Sequence, residues 1–198
     1  MSIYGLFFYD KIVLMNREFF MQDAIVVAES LLGHLLVRKI DGKEIISRIV
    51  ETEAYMGVID KACHAYGGRR TNRTIAMYNI GGYAYVYMIY GMYYMLNIVT
   101  SNKHNPHAVL IRAIEPISPK VDGLLTNGPG KLTKFLNIDL KFNNRDLLNN
   151  CELFLRKDLS FDFEVACSKR INVDYAGEEY ANKLWRFYIR GNRFVSKY

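Results

Sequence analysis

From residue 35 onward, the candidate strands of this chain follow one another too closely for helical crossovers, so they must pair antiparallel. Residues 35–40, the Asp41-Gly42 pair and residues 44–53 predict a β-hairpin with a tight turn. Residues 83–100 are β-rich and aromatic, and the interruption at Gly91 predicts two strands joined at a tip near Tyr90-Gly91-Met92. Further strands are expected at 108–114, 152–155 and 184–190. Helical spacing of Ala24, Val27, Ala28, Leu31 and Leu32 places a helix within 16–40, ahead of the first strand and closed by Gly33. Asn127-Gly128-Pro129 leads into a short helix over 130–136, and 66–79 read as a loop. The expected fold is α+β: a single mixed domain over residues 1–198, built on a curved antiparallel sheet with a protruding β-hairpin.

Composition narrows the function. Lys and Arg outnumber Asp and Glu by 26 to 20, which suits a polyanionic partner without requiring one. Arg69, Arg70 and Arg73 share a Gly-rich turn, and Lys169, Arg170, Lys183, Arg186, Arg190, Arg193 and Lys197 crowd the last thirty residues. Two such clusters on one surface would meet phosphates. Three widely spaced cysteines, Cys63, Cys151 and Cys167, imply no disulfide framework and a reducing compartment. The first fifteen residues lack a basic segment ahead of their apolar run, which Asp10 and Lys11 interrupt, so no signal peptide is expected. No apolar stretch is long enough to span a bilayer. A bacterial, cytoplasmic, nucleoid-associated monomer is the expectation.

Three features could carry chemistry. On a regular strand Ile49, Glu51, Glu53 and Tyr55 face the same way, and paired carboxylates can prepare a general base. Spacing alone favours the plainer reading, two ordinary glutamates at a solvated strand end. His104 and His107 flank Asn105-Pro106 but find no further ligand set, so no metal is assigned. Tyr83, Tyr85 and Tyr87 alternate onto one strand face. Such a stripe is usually core, yet it carries many hydroxyls, and Tyr90 falls at the tip, where a rigid aromatic could wedge between bases from the minor groove.

Several segments, taken in order, resemble the alkyladenine (3-methyladenine) DNA glycosylase family nearly end to end. They are Leu31-Leu-Gly33, Arg48-Ile-Val-Glu-Thr-Glu-Ala-Tyr55, His64 with Gly67-Gly-Arg69, Tyr85-Val-Tyr-Met-Ile-Tyr-Gly-Met-Tyr93, Leu110-Ile-Arg-Ala-Ile-Glu-Pro116, Asn127-Gly-Pro-Gly-Lys-Leu132 and Arg186-Phe-Tyr-Ile-Arg-Gly191. The resemblance implies a monofunctional enzyme, without metal or cofactor, that flips damaged purines from double-stranded DNA and hydrolyses the glycosidic bond. Glu53 would be the general base and Arg112 would help hold the attacking water and a phosphate. Tyr55, His64 and Tyr87 would wall the base pocket, Leu110 would line it, and Asn97 would crowd the 2-amino group of guanine. Tyr90 would intercalate, with Met92 beside it, while Arg69 and Lys131 would meet the DNA backbone and the hairpin would enter the minor groove. Against relatives, 117–127 is short, 101–107 is slightly long, and Asn172 stands where glycine is common. The alternatives are a non-catalytic nucleic-acid-binding module of the same fold and an enzyme of free nucleosides, which would need neither the Tyr90 wedge nor two basic clusters.

Overall fold

The computed structural model describes residues 12–121, 123 and 125–197. Residues 1–11, on which the signal-peptide expectation rests, lie outside the described residues. Among those described, nine strands form one antiparallel sheet: β1 (Ile12–Leu14), β2 (Leu35–Ile40), β3 (Lys43–Tyr55), β4 (Ala84–Ile89), β5 (Tyr93–Thr100), β6 (His107–Ser118), β7 (Leu153–Asp158), β8 (Val165–Ser168) and β9 (Arg186–Ile189). Their order is β1-β7-β2-β3-β6-β5-β4, with β9 paired to β3 and β8. The long strand β3 is the branch point. Its first half pairs with β2 and residues 51–53 pair with β9, while β6 runs along its other edge.

The two faces of the sheet carry different cores. Ala84, Val86, Leu96, Ile98, Val109 and Ile111 join the large apolar cluster with α2 (Ala24–Ser30) and α3 (Pro129–Phe135). The intervening residues Tyr85, Val99 and Ala108 pack on the opposite face against Cys63, Ala65, Ala76, Met77 and Tyr78 from the 61–79 segment. The expected aromatic stripe is therefore real, and it faces this second, smaller cluster.

The helix expected ahead of β2 is two pieces, α1 (Arg17–Phe20) and α2. Asp23 divides them, because its carboxylate accepts from the Ile25 and Val26 amides and starts a new helix. Gly33 follows α2 with φ 82°, as a glycine after a helix should. Short 3₁₀ turns at Tyr66–Gly68 and Ile75–Tyr78 are the only regular structure in the expected loop among the described residues. Strand β8 had no clear sequence signal: its four residues, Val-Ala-Cys-Ser, neither alternate nor run apolar. The hairpin β4–β5 ends in a turn in which Tyr90 and Gly91 both have positive φ, 51° and 67°, closed by the Met92 amide donating to the Ile89 carbonyl at 3.2 Å. That is the hand of turn a twisted hairpin prefers. Gly130 lets the Tyr93 ring lie on α3, since a Cβ there would meet it at 2.9 Å; α3 is thereby seated against the base of the hairpin.

Candidate active site

Paired bulges build the site. Between Ile49 and Glu51, β3 has one extra residue, Val50, and between Ala113 and Ile111, β6 answers with Arg112. Arg112 drops out of the ladder, and its guanidinium reaches both carboxylates of the β3 motif. Nε lies 3.2 Å from Glu51 Oε1, and one terminal nitrogen lies 3.3 Å from Glu53 Oε1. Bulges re-aim a side chain in this way beside functional sites.

The two glutamates, indistinguishable by spacing, have different surroundings. Glu51 is wholly buried and accepts from Arg112, from Arg186 at 2.8 Å, and from the amide and hydroxyl of Ser196 at 2.7 and 2.9 Å. Its lone pairs are committed to tying β9 and the C-terminal segment to β3. Glu53, also buried, accepts at Oε1 from the Ile171 amide at 2.7 Å and at Oε2 from the Tyr55 hydroxyl at 2.9 Å. These donors compensate the burial of its charge, and the Oε2 atom keeps spare accepting capacity on the Tyr55 side. Burial works against the Arg112 charge, but Glu53 and Glu51 outweigh it and hold its pKa above the ordinary arginine value. Burial, reinforced by Glu53, pushes the Tyr55 phenol well up, so it stays a hydrogen-bond donor at neutral pH.

Beside Glu53, which does not itself line it, opens a small cleft lined by Tyr55, Cys63, His64, Tyr85, Tyr87, Asn97 and their neighbours. Four of the expected pocket residues, Tyr55, His64, Tyr87 and Asn97, thus come together. Leu110 does not line the cleft. It is the cross-strand partner of both Glu53 and Asn97 and sits between them on β6. The His64 ring meets Tyr87 edge-on at 4.6 Å, and its Nδ1 lies 2.8 Å from the Tyr85 hydroxyl. Burial, then the charges of Arg73 and Arg69, lower the His64 pKa to about 4, so the imidazole is neutral at physiological pH. The Asn97 amide is fixed by donating to the Tyr85 carbonyl at 3.1 Å.

The remaining predicted residues lie away from the cleft walls. Tyr90 and Met92, 84% and 65% exposed, stand at the hairpin tip. Arg69 and Lys131 are exposed, the latter donating to Asn127 at 2.7 Å. The C-terminal basic cluster is not one surface. Arg170 is buried against Asp60, Arg186 is buried against Glu51, and Arg190 pairs with Glu164 at 2.9 Å. Linear charge clustering cannot separate interior ion pairs from a solvated face. Sequence reasoning missed Tyr175, which is exposed on the cleft rim and donates to the Ala62 carbonyl at 3.0 Å. It also missed the Ile171 amide, which side-chain chemistry cannot signal. Asn172 is the adjacent trace: its φ of 59° is left-handed backbone that glycine favours and asparagine tolerates, and that turn presents the Ile171 N–H to Glu53.

A buried carboxylate held by an arginine and an amide, beside an aromatic cleft, in a fold with an exposed aromatic hairpin tip, suits one class: enzymes that act on a base drawn out of its helix. The comparisons place the chain within it. The family description "Methylpurine-DNA glycosylase (MPG)" matches residues 18–193. A protein of Borrelia garinii subsp. bavariensis named "Putative 3-methyladenine DNA glycosylase" is 68% identical over 185 residues, covering 92% of this chain and 100% of its own length. Similar proteins under the same name, from Borreliella burgdorferi and Natranaerobius thermophilus, are 66% and 50% identical, each over 92% of this chain. The chain belongs to the methylpurine-DNA glycosylase family and is a DNA glycosylase of DNA repair. Among the described residues, no helix is long and apolar enough to cross a membrane.

Proposed function

We propose that the chain acts as a monomer on duplex DNA, flips alkylated or deaminated purines into the cleft, and hydrolyses their glycosidic bond with a water activated by Glu53. The observation that carries this reading is the asymmetry of the two glutamates. Glu51 is saturated, whereas Glu53 is held by the Ile171 amide and Arg112 and turns its second oxygen toward the Tyr55 wall. Hydrolysis requires a water within reach of that oxygen, where the Tyr55 hydroxyl now donates. The water oxygen bonds to C1′, its proton passes to Glu53, and the C1′–N9 electron pair leaves with the purine. An alkylated purine departs neutral because it began cationic; a neutral lesion must also gain a proton. The products are the free base and an intact abasic site, from 3-methyladenine, 7-methylguanine, hypoxanthine or ethenoadenine.

Tyr90 fills the gap left by the flipped nucleotide as the hairpin enters the minor groove. Arg69 and Lys131 contact the backbone, and the domain works as one unit in the cytoplasm, on the nucleoid. Tyr90→Ala is expected to lower single-turnover excision about tenfold, as unstacking loses its partner. Affinity for undamaged duplex should change little, and loss of both together would place the tip on phosphate instead. Asn97→Ser removes the amide that would crowd a 2-amino group, so release of unmodified guanine should rise above the wild-type background. An unchanged guanine rate would remove Asn97 from gatekeeping.

The decisive assay uses duplex oligonucleotides with one central lesion each, chelator throughout, and alkali to cleave abasic sites. Strand breaks that appear only after alkali are expected. Breaks without alkali would mean lyase chemistry. Specific binding with no breaks on any lesion would favour a non-catalytic binding module.

A further inference from the structure

Both aromatic walls of the cleft are backed by arginine. The Arg170 guanidinium lies 4.8 Å from the Tyr55 ring centroid, and the Arg73 guanidinium lies 4.8 Å from that of Tyr87. Tyr87 lines the cleft with His64 and Tyr85 and also borders a shallow groove with Arg73, Val86 and Met88, and the Arg73 guanidinium also approaches the Tyr85 hydroxyl. The two arginines are not equivalent. Arg170 is buried and its charge is taken up by Asp60, at 2.5 and 2.9 Å. Arg73 is exposed, and among the described residues no carboxylate pairs with it.

A tyrosine ring attracts a cation through the negative charge of its faces. A guanidinium on one face already draws on that charge and repels a second cation brought to the other. An aromatic pocket of this kind would ordinarily favour cationic, alkylated purines over neutral ones. Here the Arg73 cation opposes that preference.

Resting on the reading of the cleft as the base pocket, we infer that Arg73 is a specificity-determining residue: seated behind Tyr87, it tilts selection away from cationic alkylated purines and toward neutral lesions such as hypoxanthine. It is not among the residues lining the cleft, and it acts through the Tyr87 ring it stacks on and the Tyr85 hydroxyl it approaches. The sequence grouped Arg73 with Arg69 and Arg70 as a phosphate contact, and a phosphate contact makes the opposite prediction, a loss that is uniform across lesions.

The test is single-turnover excision by wild type, Arg73→Gln and Arg73→Lys, on otherwise identical duplexes carrying 7-methylguanine or hypoxanthine. The intrinsic lability of each lesion cancels when the ratio of rates is compared between variants. Arg73→Gln is expected to raise the 7-methylguanine-to-hypoxanthine ratio roughly two- to fivefold, and Arg73→Lys to stay near wild type because it keeps the charge. In the same variants the His64 imidazole, followed by NMR, should titrate higher in Arg73→Gln than in wild type, because a nearby cation that lowers its pKa is gone; burial still holds it below the ordinary histidine value. An unchanged or lowered ratio, or an equal loss on both lesions, overturns the inference while leaving the glycosylase reading intact. Absence of excision by wild type on either lesion fails the underlying reading instead, and the two failures are thus distinct.

Discussion

Glu53→Gln is expected to reduce base release by about 10²–10⁴-fold, the range a positioned general base supplies, while affinity for lesion-bearing duplex stays within a few-fold of wild type. Glutamine keeps the shape: its one oxygen can still accept from the Ile171 amide, while its NH2 group, in the place of the second oxygen, donates to the Tyr55 hydroxyl oxygen. What it cannot do is take a proton from water. Removing this charge also leaves Arg112 with Glu51 alone, so the substitution is best read beside Glu51→Gln. Glu51 makes four hydrogen bonds to Arg112, Arg186 and Ser196, so its loss should lower the melting temperature more than Glu53→Gln does. If Glu51→Gln proved folded yet inactive while Glu53→Gln turned over normally, the roles of the two carboxylates would have to be exchanged. Single-turnover excision, duplex affinity and thermal melting of both variants separate these outcomes.

The strands around this site were readable because they are long or alternate cleanly. The β4–β5 hairpin announced itself through Tyr83, Tyr85 and Tyr87 on one side and Gly91 at the turn, and the structure gives those rings one face. The Asp41-Gly42 turn was equally plain, with φ values of 48° and 77°. What the residues alone could not provide was the difference between Glu51 and Glu53. A strict two-residue alternation makes them equivalent, and the bulge that brings Arg112 onto both depends on the register of two strands nearly sixty residues apart. Register is set by tertiary packing, not by local preference. The basic C-terminal stretch misled for a related reason. Arg170 and Arg186 look like surface cations in one dimension, and only the folded chain puts Asp60 and Glu51 beside them. The roles assigned to Asn97 and Tyr90 came from resemblance, and the geometry adds that Asn97 lines the cleft and Tyr90 is exposed at the tip.

Asp60→Ala is expected to be the most destabilising single change among the residues discussed, costing about 3–5 kcal/mol as a buried ion pair loses one partner. The Asp60 and Arg170 side chains are both fully buried, joined by two contacts of 2.5 and 2.9 Å. Asp60 also accepts from the Met56 amide at 3.1 Å and the Ala62 amide at 3.0 Å. Truncation would therefore strand one cation and two backbone donors in the interior, each costly without a partner. Arg170 has further ties, to the Ala54 carbonyl at 2.9 Å and to the faces of Tyr55 and Trp185, so it should persist in place as an unpaired charge. For a chain of this length the melting temperature should fall by roughly 10 °C. Function should fall with it before the fold is lost. Arg170 immediately precedes Ile171, whose amide holds Glu53, so loosening the pair frees the carboxylate from the orientation its chemistry needs. Asp60→Asn, which keeps the shape and one acceptor oxygen, should recover part of both losses. Thermal melting, paired with single-turnover excision well below the transition, checks the two effects separately. A melting temperature unchanged in Asp60→Ala would mean that water reaches Arg170 and that the pair is not the dry anchor its burial describes.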